Sequence, residues 1–564
     1  MAIQRLLFST ATVFMGLLYH APGYAQQLRW QWAVQAHGAA DNRIGGTACD
    51  TARNIYLTGS FSDSIRFGSF HLASKGEEDI FLLKLDPEGN VLWAKPAGGP
   101  GNDYPTAMTV SPAGMLYTAG FHGRNIAFDS WQSGEKNYNL FISLYAADGE
   151  LKWVKSFGAK RSDYITSIAV DSLGSVYFGG YFERQLRLDE QHIIKANKAS
   201  DAFIGCLDSL GTLLWIKSFG GLGDDRVSAL HVKDSLLWIA GHCTAAMHLG
   251  TATISPLNNE HHAVFMACCS PAGEILRVHG NVSGRAATAD CIIGLEGGKS
   301  IVAGNFSDSL FLDNTVLESY GSRDMFMAAF DSAGGLLWQK QIGSAAYDQL
   351  FDILHHPWGH IIITGLYSAP LIFDRDTIGL NNSYCDVFAA SFDGKGRLQE
   401  INVMGGKAEE FPRALTHDRE GHVYIAGLFR DTTTLRHATL TSAGTEEIFL
   451  AKLYHCNKNK VIFACDTVFS EGDKLALKTE GQYVAYDWEQ GISKEATYAV
   501  TCSKVYQLRV EDSLHCTYRD SIAVRQIPVA PKIQIRADLH YDEMPHAIRP
   551  IYYALLRRRE NENI

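Results

Sequence analysis

A unit of about 61 residues recurs seven times along the chain, and this repetition constrains the fold more than any other feature. Three landmarks hold it in register. The aromatic residue of a D-x-F-like phrase falls at Phe81, Phe141, Phe203, Phe265, Phe326, Phe388 and Phe449, at steps of 60 to 62 residues. A glycine recurs at Gly59, Gly120, Gly180, Gly241, Gly304, Gly365 and Gly427. The tryptophan of an L-L-W phrase stands at Trp32, Trp93, Trp153, Trp215 and Trp338, with Arg277 and Gln399 at the two remaining positions.

Each copy carries four short stretches rich in β-branched and aromatic residues, broken by Gly, Asp and Ser. In one copy they read YITSIAV, SVYFGGYF, DAFIGCL and TLLWIKSF. The DSLG segments after the first and third stretches have the composition of tight hairpin turns, whereas the link after the second is long and variable. Seven copies of four antiparallel strands predict an all-β fold, a seven-bladed β-propeller spanning 28–455. Parallel solenoids have much shorter coils. Leu28 to Gly38 carries only the fourth-strand phrase, and Glu447 to Tyr454 only the third. The N-terminal strand is therefore expected to complete the last blade and close the ring, which removes the open sheet edges.

The phrases DAFIGCLDSLGTLLW and FGGLGDDRVSALHV resemble the seven-bladed propeller repeats (SBBP-like) of exported bacterial proteins. That resemblance implies a fold and an extracytoplasmic setting, and no shared chemistry. After Cys456 the period stops, and 456–527 shows short alternating strands that resemble a small Ig-like β-sandwich module of bacterial surface proteins, with Trp488 as its core aromatic. Cys465 and Cys516 fall near the positions where such modules often place a disulfide. Residues 528–564 fit neither domain, and Arg557, Arg558 and Arg559 read as part of a solvated basic tail.

Export is also read from the first 25 residues. Arg5 precedes the apolar stretch Leu6 to Tyr19, and Gly23 and Ala25 sit at the small-residue positions of a cleavage site, which is the pattern of a signal peptide. Its removal leaves 49 basic against 61 acidic residues. A chain of that sign is a poor partner for nucleic acid or anionic lipid. No stretch after the leader is long and apolar enough for a transmembrane helix. The eleven cysteines are an odd number and cannot all pair within one molecule; most of the early ones lie in apolar runs.

Candidate chemistry is sparse. An acidic residue follows the tryptophan register by nine to eleven positions, at Asp41, Asp103, Asp163, Asp225, Asp348 and Glu410. Such a ring could hold a cation or form an acidic funnel for a basic ligand. Its repetition favours a structural role, carboxylates bonding backbone donors in the turns between blades. Symmetry breaks most in the fourth and fifth units. There Arg277 replaces tryptophan, the acid is shifted towards Asp290, and His242, His248, His261 and His262 accumulate as weak metal-ligand candidates beside several cysteines. The run His355 to His360 (HHPWGH) reads as a solvated turn. There is no H-E-x-x-H, G-x-S-x-G or phosphate-binding loop, and nothing calls for a cofactor. The expectation is a non-catalytic secreted or cell-surface scaffold that binds an extracellular protein or glycan through its loop-rich rim. A propeller enzyme acting on glycans as lyase or hydrolase, and a metal-dependent surface module, are the alternatives.

Overall fold

The landmark glycines and phenylalanines are directly opposite one another across neighbouring strands. In the computed structural model, Gly59 pairs with Phe81, Gly120 with Phe141, Gly180 with Phe203 and Gly241 with Phe265. Gly304 likewise pairs with Phe326, Gly365 with Phe388 and Gly427 with Phe449. A Cβ on each of these glycines would overlap a first-strand carbonyl oxygen, Arg43 O at Gly59 and Tyr164 O at Gly180 for example, and at five of the seven it would also crowd the facing ring. On the other side of each glycine, the first strand of the repeat carries a bulge, as between Ile165 and Ser167 and between Val227 and Ala229.

The structure describes residues 28–527 apart from short stretches at 39–40, 135–137, 159–162, 374–375, 379–384, 436–437, 443–445, 457–466, 471–474, 480–481, 490 and 514–515. The leader and the basic tail lie outside the described residues. Chain contacts separate two units, Met1–Lys458 and Asn459–Ile564.

The first unit is an all-β, propeller-like repeat fold. Each repeat is a meander, for example Tyr164–Val170, Val176–Arg187, Ile193–Leu207 and Leu213–Gly221 paired in that order. First strands of successive repeats pack on one another: Asn42–Cys49 on Tyr104–Val110, that on Tyr164–Val170, and onward until Glu410–His417 meets Asn42–Cys49 again. The N-terminal strand Leu28–Gly38 lies antiparallel to Glu447–His455, from Leu28 opposite His455 to Ala36 opposite Ile448. The tight turns form as their sequence requires. In Asp208–Thr212, the carboxylate accepts from Leu210 N and Thr212 N, and Gly211 takes a φ of 78°.

Two joints fasten each repeat to the next. Fourth-strand tryptophans lie over the turn of the following repeat: Trp93 Nε1 donates to Ala147 O at 3.3 Å, Trp153 to Ser209 O at 3.1 Å, Trp215 to Pro271 O at 3.0 Å and Trp338 to Gly394 O at 3.2 Å. The second joint was not expected. The links between second and third strands are β-hairpins rather than irregular loops, and their arms pair with the end of the preceding fourth strand. Ala97 is opposite Phe128, Gly220 opposite His248, Ile342 opposite Phe373, and Gly405 opposite Thr434.

The second unit contains a four-stranded sheet and the two-stranded pair Leu475–Lys478 and Thr497–Val500. Trp488 is fully buried, donates Nε1 to Glu495 O at 2.9 Å, and stacks on Tyr498 at 5.1 Å, joining the two sheets. Cys516 takes part in a disulfide, and Cys465, the partner expected for it, lies outside the described residues. Among the described residues, eight other cysteines are free thiols.

A third-strand acid rests on a fourth-strand glycine at the end of several repeats. A Cβ added at Gly98, Gly220, Gly343 or Gly405 would overlap the carboxylate of Asp79, Asp201, Asp324 or Asp386 respectively. In the second repeat Asn139 replaces the acid, and a Cβ on Gly158 would meet nothing closer than Arg187 O at 3.6 Å. Gly220→Ala should therefore lower stability by about 1–3 kcal/mol, as overpacking does. Gly158→Ala should fall within about 0.5 kcal/mol of the parent. Denaturant titration of the two variants checks this, and equal losses would refute the contact.

Candidate functional site

The repeated acid lies at the start of each first strand, immediately after the link from the preceding repeat. Asp103, Asp163, Asp225, Asp348 and Glu410 are all buried, and none lines an open funnel. The carboxylates of Asp103 and Asp348 hold donors from two segments. Asp103 accepts from Gly99 N and Gly123 N, both at 2.8 Å. Asp163 accepts from Glu183 N at 2.7 Å, Asp225 from Gly221 N at 2.7 Å, and Asp348 from Ser344 and Ser368.

Two positions depart from the sequence spacing. Asp41 is exposed, and strand register gives the equivalent place to the buried Asn42, whose side chain donates to Glu446 O at 2.8 Å. In the fifth repeat the equivalent place is Ala287, because Thr288 is opposite Asn305. Asp290 lies at the bulge further along the strand, bound by Thr288 Oγ1 at 2.7 Å and Asn305 Nδ2 at 2.6 Å.

The third-strand acids, used in the sequence only as markers of the D-x-F phrase, face these carboxylates across the joint. Burial raises the carboxyls of Asp103 and Asp225 to about 7, and the charges of Asp79 and Asp201 add to it. Burial likewise raises Asp79 and Asp348 to about 6, and Glu410 to about 8, with Asp386 beside it adding to the rise.

One position further along each first strand, the symmetry fails. The residues are Arg43, Tyr104, Tyr164, Arg226, Thr288, Gln349 and Phe411; their second-strand partners are Ser60, Phe121, Tyr181, His242, Asn305, Leu366 and Leu428. In the first four repeats this layer is a continuous arc of rings and cations. Arg43 lies over Tyr104 at 5.1 Å; Tyr104 touches Phe121 at 4.8 Å; Phe121 meets Tyr164 edge-on at 5.3 Å. Tyr164 packs on Tyr181 at 5.2 Å, and Arg226 covers Tyr181 at 4.4 Å. Arg43 is exposed and the other five are half-buried, so the arc keeps an open face. Glu78 anchors its first end, receiving Tyr104 Oη at 2.8 Å, Ser60 Oγ at 2.9 Å and Arg43 Nε at 3.2 Å.

The histidine candidates are only partly gathered. His242 and His262 stack at 5.7 Å, His261 stacks on Phe311 at 5.6 Å, and His248 stands apart on the hairpin Met247–Ile254, bonded to Thr253. Among the described residues, no group of three or more His, Cys, Asp or Glu side chains is placed to hold a metal ion. At the turns, His356 Nε2 bonds Gly421 O at 2.8 Å, and its ring packs near His417 and His360.

Comparison with known proteins gives little beyond fold. No protein-family model matches the chain. It is 22% identical over 182 residues to an uncharacterized WD repeat-containing protein of Acanthamoeba polyphaga mimivirus, covering 29% of this chain and 13% of that one. It is 25% identical over 193 residues to the regulatory protein FlaEY of Caulobacter vibrioides, covering 32% and 20%. The matches thus span a fifth or less of these relatives. Among solved structures, puromycin hydrolase aligns at a TM-score of 0.40 and 9% identity, covering 87% of this chain and 60% of that one. No helix among the described residues is long and apolar enough to cross a membrane.

The raised carboxyls carry a pH dependence of definite sign. A carboxyl whose folded value lies above its unfolded value, about 4, contributes stability that is present below the unfolded value and lost as pH rises through the folded one. The buried histidines act oppositely: burial lowers His231 and His356 to about 4 and His242 to about 3, so their contribution is lost as pH falls below about 6.5. Above that pH only the carboxyls still titrate in this set. The melting temperature should therefore fall by a few degrees between pH 6.5 and 8, and fall less in Asp225→Asn. Scanning calorimetry across that range checks it; a rising or flat profile would contradict the assignment.

Proposed function

We propose that the chain is a non-catalytic, exported binding protein, a seven-bladed β-propeller whose rim takes an extracellular glycan or protein. In this reading an Ig-like module over 456–527 serves as spacer or anchor at the cell surface. Seven registers in the sequence and the unbroken circuit of packed first strands support the blade count. The leader pattern supports export.

The arc Arg43–Tyr104–Phe121–Tyr164–Tyr181–Arg226 carries the functional reading. Repeated features serve the scaffold, whereas this layer changes character from one half of the ring to the other. Tyrosine offers a rigid apolar ring with a polar edge, at small cost in conformational entropy. Three such rings in line with Phe121 suit a sugar chain, whose pyranose faces are apolar and whose rims are hydroxylated. The glycan is therefore the preferred ligand over a protein.

A glycan array followed by titration with the mature protein tests this. Tyr164→Ala and Tyr181→Ala should each weaken binding about tenfold or more, in the range of a central aromatic contact, with no loss of secondary structure. Turnover of a bound glycan would instead favour the propeller-enzyme alternative, and binding indifferent to both variants would reject the arc as the site.

A further inference from the structure

At its far end the aromatic arc runs into cationic side chains that form no ion pair among the described residues. Arg226 leaves Tyr181 and lies opposite His242, which stacks on His262 with the rings 11° from parallel. Arg323, at the edge of the third strand in the next repeat, adds a charge that acts on both His242 and Asp290. The Nε atoms of Arg226 and Arg323 are buried without a hydrogen-bond partner, as are the Nδ1 atoms of His242 and His262. Among the described residues neither arginine forms an ion pair.

The acids whose charge reaches this corner, Asp224 at His242 and Asp290 at Arg323, take their hydrogen bonds from neutral donors. Asp224 accepts from Ser200 Oγ at 2.7 Å, and Asp290 from Thr288 and Asn305. A guanidinium withdrawn from water with an unmet N–H is costly unless an anion meets it. Its planar fork matches a carboxylate, which two such groups can hold through paired, charge-assisted bonds. Burial and the neighbouring cations keep His242 neutral, with its value lowered to about 3, so the imidazoles add polar contacts rather than charge. Two guanidinium groups also make the cluster a poor site for a metal cation.

We propose that Arg226 and Arg323, with His242 and His262, form the subsite for the carboxylate of an acidic sugar, so that the ligand of the arc is a uronate-bearing glycan. This rests on the glycan-binding reading and narrows it. The aromatic shelf leading into the cluster favours a sugar over an acidic peptide, since it offers ring faces rather than backbone partners.

The test is calorimetric titration of the full mature chain with oligogalacturonate, oligoalginate and hyaluronan oligosaccharides. Each is run beside its methyl ester, which keeps the sugar frame and removes the charge, and beside polyglutamate. At least one free acid should bind about tenfold or more tighter than its ester and than polyglutamate. Arg226→Met with Arg323→Met should abolish that difference, and Arg226→Lys alone should keep part of it. Equal binding of acid and ester, or an acid preference that survives the double variant, would overturn the subsite and leave the glycan reading standing. Polyglutamate binding as well as the best sugar would overturn the choice of sugar. Failure of every acid and ester to bind would overturn both.

Discussion

A carboxylate laid against the bare Cα of a glycine is the joint on which the ring depends. Asp79 on Gly98, Asp201 on Gly220 and Asp324 on Gly343 each sit where one repeat hands the chain to the next. The next residue's N–H, as in Gly99 and Gly221, is taken by the following acid, Asp103 or Asp225. One buried carboxyl packs on the first glycine of the link and the next accepts from the following N–H, a hydrogen bond that accepts little variation in length. Burial raises both above the ordinary carboxylate range, and the charges of Asp79 and Asp201 add to the rise at Asp103 and Asp225, so the joint is strongest with a proton present. The tryptophan latch over the next turn adds an apolar contact to this polar one.

Much of this architecture was legible in the amino-acid sequence because its physics demands particular residues. Only glycine fits against the first-strand carbonyl beside it, as Gly180 does against Tyr164 O, so the glycine recurs and marks the period. Only a residue tolerant of positive φ ends the Asp208 turn, so Gly211 is legible too. The hairpin arms were not legible, and the reason is equally physical. Ala97 and Phe128, or Gly405 and Thr434, are joined by backbone pairing, which asks little of side chains and lets their sequence drift. The register of the acids was misread where spacing was counted from tryptophan: Asp41 is displaced from the pattern by one residue and Asp290 by three, as strand pairing shows.

The candidate site was hidden for a different reason. A search for repetition weights what is the same in every copy, whereas Tyr104, Tyr164 and Arg226 stand where the copies differ. The accumulation of His242, His261 and His262 was visible as a departure from the pattern, but it pointed towards metal ligation. The guanidinium groups of Arg226 and Arg323 beside them change the sign of what that corner can hold, and only the fold brings Arg323 there. Scaffold and site thus obey opposite rules in one chain.

The pairing of Leu28–Gly38 with Glu447–His455 has a consequence in time. Within this unit the earliest strand to be made is the last to find its partner, because more than four hundred residues separate the two. Until then the growing stack of repeats keeps two open flanks, each able to template pairing with a neighbouring chain. Ring closure is the longest-range contact in the unit and the one with the greatest loop entropy to overcome. Each hairpin arm clasps the repeat before it, so the nascent stack can consolidate from its N-terminal end while it waits.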